Sequence, residues 1–159
     1  MKSDAAIRTH VAKLLSWEDA HAGFDVAVDG IPQAARGVQP SGLHSPWQLL
    51  EHLRITQHDI LDFCRNPNYK EMSWPRDYWP PDPAPPSAVA WDQSIAQFRK
   101  DRETLQRLAA DPKIDLAARI PHGTGQTYLR ELLLTADHSA YHVGQLIVVR
   151  QLLGAWKPL

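Results

Sequence analysis

Leu129-Arg130-Glu131-Leu132-Leu133-Leu134-Thr135-Ala136-Asp137-His138-Ser139-Ala140-Tyr141-His142-Val143-Gly144-Gln145-Leu146-Ile147-Val148-Val149-Arg150-Gln151-Leu152-Leu153 contains no proline and no turn cluster. The stretch therefore reads as one long helix, which Gly154 ends. Within it, His138 and His142 stand four residues apart, so they share one helix face and can close on a single cation. Two histidines rarely complete a protein metal site, which needs three ligands and an open position if it is catalytic. Zinc proteases use the same spacing with a glutamate directly after the first histidine as base. Here that position is Ser139, so the protease reading fails and the metal reading stands.

The best third ligand is His52, in Ser45-Pro46-Trp47-Gln48-Leu49-Leu50-Glu51-His52-Leu53-Arg54-Ile55-Thr56-Gln57-His58-Asp59-Ile60. Ser45, Pro46 and Gln48 form a capping box with proline at the first helical position, which predicts a helix start. Helical spacing puts Leu49, Leu53, Thr56, Ile60 and Phe63 on the inward stripe, His52 at its edge and His58 on the opposite side, toward water. Taken alone, His52 reads as an ordinary hydrogen-bonded core histidine. Matching faces on two helices favour a metal for the three histidines together. His10 and His21 read as surface or edge residues of the first helical segment, while His44 and His122 fall in loops with roles left open.

The stretches Trp47-Gln48-Leu49-Leu50-Glu51-His52-Leu53 and Ala136-Asp137-His138-Ser139-Ala140-Tyr141-His142-Val143-Gly144-Gln145-Leu146 resemble the DinB-like (DinB/YfiT-like) family of metal-dependent enzymes. These are four-helix bundles with one histidine on the second helix and two on the fourth. With the helix count, the resemblance extends over essentially the whole chain. It implies an all-α four-helix bundle in up-down-down-up order, with His52, His138 and His142 as the ligands of one divalent ion. Related bundles include thiol-dependent S-transferases and a thiol-dependent isomerase, and dimers are frequent among them.

A chain of 159 residues with ordinary apolar and charged fractions fits one domain, residues 1–159, with a single core. Its formal charge is −1 and its basic residues are scattered, which speaks against nucleic-acid binding. The start, Met1-Lys2-Ser3-Asp4-Ala5-Ala6, leads into a mixed charged and apolar helix, and no apolar run approaches membrane-spanning length. A cytoplasmic protein is expected. Cys64 is the sole cysteine, excluding an intrachain disulfide, and its place at the edge of the inward stripe marks a packed thiol rather than a nucleophile.

The first helix is predicted from about Asp4 to Ala27, capped by Ser3 or Asp4, with Ile7, Val11, Leu14 and Phe24 inward. Gly30-Ile31-Pro32 breaks the pattern. A second helix follows from the Ser45 cap to about Arg65 and stops at Asn66-Pro67. Residues 68–86 hold six prolines together with Trp74, Tyr78 and Trp79. Such a long irregular connection is either functional or firmly docked; a stiff strap covering the core is favoured over a substrate lid, and the two are compatible. Its length allows the helices on either side to run parallel. Ser87 is the predicted cap of a third helix, Ala88 to Ala110, with Val89, Ile95, Phe98, Leu105 and Leu108 apolar. His122-Gly123-Thr124-Gly125 predicts a turn, and the Lys-Ser/Thr of a phosphate-binding loop is missing.

Three neutral imidazoles suit zinc or nickel first, then iron, copper or manganese, and leave the charge of the ion uncompensated. Such a centre can polarise water for hydrolysis of a small ester or amide, or hold a low-molecular-weight thiol as thiolate for attack on an electrophile. The resemblance tips this nearly even choice toward thiol-dependent S-transfer of a small molecule. A non-catalytic metal-binding or stress-response module is the third reading. Asp59 and Glu131 can orient a ligand imidazole or act as a base, although each lies roughly 10 Å along its helix from the nearest predicted ligand, which argues against direct ligation. Gln145 can bind the outer nitrogen of a ligand histidine or a substrate. Gly144 weakens the helix by about 1 kcal/mol relative to alanine, which a close helix or ligand approach could offset. The six tryptophans and the aromatic strap predict self-association, most simply a homodimer.

Overall fold

The computed structural model describes residues 2–156 and is all-helical among them. The helices are α1 (Lys2–Leu14), α2 (Phe24–Val28), α3 (Pro46–Arg65), α4 (Ala88–Ala110) and α5 (Tyr128–Leu152), with short 3-10 turns at Gln33–Ala35, Pro40–Gly42 and Arg76–Tyr78. One isolated bridge, Arg119 to Thr127, closes the turn before α5. No helix among the described residues is long and apolar enough to cross a membrane.

The start of α3 follows from its capping box. Ser45 Oγ accepts from the Gln48 amide at 3.1 Å, and Gln48 Oε1 accepts from the Ser45 amide at 3.1 Å, satisfying orphan donors of the first turn. At the starts of α4 and α5 the cap is one-sided: Ser87 Oγ accepts from the Ala90 amide and Thr127 Oγ1 from the Arg130 amide. α5 ends before Gly154, whose φ of +64° is the left-handed conformation expected after a helix C-terminus.

The single helix expected from Asp4 to Ala27 is instead two. α1 stops at Leu14, because Ser16 and Trp17 turn back onto the carbonyls of Lys13 and Leu14, and α2 begins afresh at Phe24, whose ring stacks on Phe98 at 3.8 Å. Neither Ser3 nor Asp4 is a cap, since α1 already includes Lys2. Ile7, expected inward, is 46% exposed. The buried face is that of Arg8, Val11 and Leu15, because the Arg8 guanidinium reaches the carbonyls of Ala109, Asp111 and Ile114 at the end of α4. A cation there satisfies orphan carbonyls and suits the helix dipole. Val89 is likewise exposed, off the phase of Trp91, Ser94, Phe98, Asp101, Leu105 and Leu108, which recur at three- and four-residue intervals and form the buried stripe of α4.

α3 packs against both α4 and α5, α1 packs mainly on α4, and α2 leans on α5. Along the α3–α4 seam Trp47 meets Trp91, Glu51 accepts from Ser94, Gln57 donates to the Phe98 carbonyl at 2.7 Å, and His58 pairs with Asp101 at 3.0 Å. One apolar cluster joins Leu49, Leu50 and Leu53 to Phe98, Val143 and Leu146; a second joins Ile60 and Leu61 to Leu105, Leu132 and Ala136. Cys64 is buried in the second, and burial pushes its thiol up to about 12, as expected of a packing residue.

Leu53 is fully buried, so Leu53→Ala is expected to cost about 2–5 kcal/mol through lost burial and a residual cavity. Val89→Ala, at an exposed site, is expected to change stability by less than about 0.5 kcal/mol. Urea denaturation midpoints of the two variants check the contrast.

Candidate metal centre

His52 lies two turns into α3, and His138 and His142 lie one turn apart on α5. The packing of α3 on α5 brings the three rings together, with one ligand-type atom of each within 4.8 Å of the others. His52 Nε2 lies 3.1 Å from His142 Nε2 and 3.0 Å from His138 Nε2. His52 and His142 are buried and His138 is partly so.

The outer nitrogens decide which ring atoms carry protons. His52 Nδ1 lies 2.8 Å from the Tyr78 carbonyl, which can only accept, so Nδ1 is the protonated nitrogen. His142 Nδ1 lies 2.7 Å from Gln145 Oε1, whose amide nitrogen donates in turn to the Tyr141 hydroxyl. Burial pushes His52 down to about 4 and His138, with His142 and His52 adding to the effect, down to about 3. Burial also lowers His142, against a smaller opposing pull from Gln145. The rings are therefore neutral near pH 7. His52 and His142 then face each other with bare Nε2 lone pairs and no proton between them.

That donor set fits a cation. Imidazole binds zinc at about 2.0–2.1 Å, which separates neighbouring donors by roughly 3 Å. A carbonyl or amide oxygen on the outer N–H is the arrangement that orients ligand histidines in metal sites.

The proline-rich segment between α3 and α4 docks onto this centre. Trp79 lies flat on His52, 3.8 Å between ring centroids and 5° between planes, and also on His44 at 3.9 Å. Asp59 accepts hydrogen bonds from Tyr78 at 2.7 Å and Tyr69 at 2.9 Å, and burial together with this carboxylate raises both phenols, keeping them protonated donors. Ser45 donates to the Pro83 carbonyl. The segment is thus pinned to α3 at Ser45, His52 and Asp59.

Asp59 hydrogen-bonds to no cluster imidazole among the described residues; it holds the Tyr78 whose carbonyl accepts from His52 Nδ1. Glu131 is buried and accepts from Arg130 at 2.7 Å. Both carboxylates line a separate cleft of about 390 Å3 that also includes His122, and His122 Nε2 is bonded to the Phe63 carbonyl. His58 is half exposed and pairs with Asp101 away from the cluster. His10 and His21 are exposed. The parts that sequence reasoning missed are the Tyr78 carbonyl, which has no sequence signature, and the ring of Trp79 on His52. The concentration of aromatics in the strap was the only signal for the second.

A family model of the DinB superfamily matches residues 16–146. The chain belongs to the DinB superfamily. The matched region contains His52, His138, His142 and Gln145. Comparison with curated proteins and with solved structures gave no match.

Burial of neutral imidazoles makes the stability of the metal-free protein depend on pH. Unfolded histidines take up protons below about 6.5, whereas His52 does so only near 4 and His138 near 3 in the fold. The unfolded state therefore binds more protons across that window, so stability falls as pH drops through it. Thermal melts of metal-free protein between pH 7 and 4 are expected to show this decline, with a shallower slope for His138→Gln. Identical slopes would contradict the assignment.

Proposed function

We propose that this DinB-superfamily chain holds one divalent metal ion on His52, His138 and His142, and that the centre serves thiol-dependent S-transfer to small electrophiles. The observation that carries the reading is the pair of bare Nε2 lone pairs of His52 and His142 facing each other at 3.1 Å, an arrangement that a shared cation relieves. Zinc or nickel suits the all-imidazole set best, with iron, copper or manganese behind. When bound, the ion supplies the positive charge that lowers the pKa of a coordinated thiol.

The protein supplies position and shielding. Tyr78 and Gln145 fix the tautomers of His52 and His142, Asp59 fixes Tyr78, and Trp79 keeps water off one face of His52. No carboxylate hydrogen-bonds to the three rings among the described residues, so the donor set is uncharged and favours an anionic partner such as thiolate over a neutral one.

The same reading takes residues 1–159 as one domain, a four-helix bundle in up-down-down-up order. Support comes from the order of contacts. Successive residues of α3 meet successive residues of α4 (Glu51 with Ser94, His58 with Asp101). The early part of α3 instead clusters with the late part of α5, while Arg8 and Ser16 of the first segment meet Ala109 and Gln106 in reverse order. A cytoplasmic homodimer completes the proposal, supported by exposed apolar side chains such as Trp74, Leu133 and Leu152. Light scattering is expected to report a dimer; a monomer across a wide concentration range would refute it.

Elemental analysis of protein purified without an affinity tag is expected to find one metal ion per chain, largely lost in His142→Ala and retained in His58→Ala. The metal-loaded protein is expected to conjugate a cellular thiol to a small electrophile, with His138→Ala abolishing conjugation. Ester or amide hydrolysis makes the opposite demand, proceeding without thiol and being inhibited by it, so one thiol titration separates the two. A flat response in both assays would favour the non-catalytic metal-binding module.

A further inference from the structure

Beside the histidine cluster, between the start of α3, residues 42–44 and the second half of α5, lies a cavity of about 510 Å3. That volume falls within the roughly 300–1,000 Å3 of small-molecule sites. Leu49 and Val149 form its buried floor, and Leu43 and Val148 its half-exposed rim. No lining residue carries a formal charge. Its polar members are His44 and Gln145, and both lead to the cluster: Gln145 accepts from His142 Nδ1, and His44 stacks on the Trp79 that covers His52.

Gly144 lines the same cavity. Glycine inside a helix is destabilising relative to alanine, and packing against a neighbouring helix is the usual compensation. Here a Cβ at Gly144 would meet nothing within 4 Å, so no helix approach explains the missing side chain. The bare backbone instead keeps the cavity open on the side next to Gln145.

We propose that this cavity binds the electrophilic substrate: a small, uncharged molecule with an apolar body, one aromatic ring or a branched aliphatic group, held against Leu49 and Val149. The choice of an electrophile rests on the S-transfer reading; the apolar, uncharged binding site does not.

The test uses metal-loaded full-length protein and 4-nitrobenzyl alcohol, an unreactive counterpart of a benzylic electrophile. Methyl resonances of Leu43, Leu49, Val148 and Val149 are expected to shift saturably on titration. Gly144→Leu, which fills the cavity, is expected to weaken binding at least tenfold with metal content unchanged, and Leu43→Asp, which places a charge at the exposed rim, is expected to do the same. Gly144→Ala is expected to raise the melting temperature and keep measurable binding. Unaltered affinity in Gly144→Leu and Leu43→Asp, or shifts confined to other methyl groups, would overturn the site. Probe binding that responds to these substitutions in a protein without thiol transfer would uphold the site and remove the reaction. Transfer to 4-nitrobenzyl chloride as fast in Gly144→Leu as in the unaltered protein would uphold the reaction and remove the site.

Discussion

The opposition of two unprotonated imidazole nitrogens, His52 Nε2 and His142 Nε2, at 3.1 Å is the constraint around which the rest of the structure is arranged. Neutral rings bring polar nitrogens out of water without the far larger cost of burying charge. Their orientation has to be imposed, because facing lone pairs repel. The fold imposes it through acceptors on the outer nitrogens, a main-chain carbonyl for His52 and a side-chain amide one turn along α5 for His142.

Those two acceptors have different origins. Gln145 reaches His142 across a single helical turn, so this half of the arrangement is local. The Tyr78 carbonyl belongs to a segment between helices, and its position depends on everything that docks the segment: the Ser45 hydroxyl on Pro83, the Asp59 carboxylate on Tyr69 and Tyr78, and the flat contact of Trp79 with His52. Proline makes this segment suitable. It has no N–H to satisfy and little conformational freedom to lose, so carbonyls and aromatic faces can be presented without a helix or strand to carry them. Asp59 thereby acts on the cluster at a distance through Tyr78, which accounts for a carboxylate on the right face of α3 that touches no imidazole.

The surroundings divide by chemistry. On one side, Asp59, Glu71, Glu131, Arg130 and two tyrosines form a polar cleft in which Glu131 pairs with Arg130 and Asp59 accepts from both tyrosines. On the other, an uncharged apolar cavity meets the cluster through Gln145 and His44. Among the described residues no carboxylate hydrogen-bonds to the three imidazoles, so under the proposed function an ion held there would favour an anionic ligand, with an uncharged reactant beside it. Gly144 belongs to the same logic. A residue that weakens its helix and has no packing neighbour is accounted for by what it leaves empty.

Local patterns in the sequence determined the secondary structure wherever the signal was a cap or a terminator. Ser45-Pro46 with Gln48 placed the start of α3, Ser87 that of α4, Asn66-Pro67 the end of α3, and Gly154 the close of α5. The four-residue spacing of His138 and His142, and the position of His52 at the edge of an apolar stripe, were enough to predict that three imidazoles face one another. Apolar periodicity served less well where no cap marked a boundary: it carried one helix across the break after Leu14, and it put Ile7 inward. Tertiary structure decided those cases, because the orphan carbonyls at the end of α4 draw in Arg8 and so set the rotation of α1. It alone also decided which atoms complete the site. A main-chain carbonyl at residue 78, a tryptophan face over His52 and an empty volume beside Gly144 are properties of how distant segments meet, and no residue type or spacing encodes them locally.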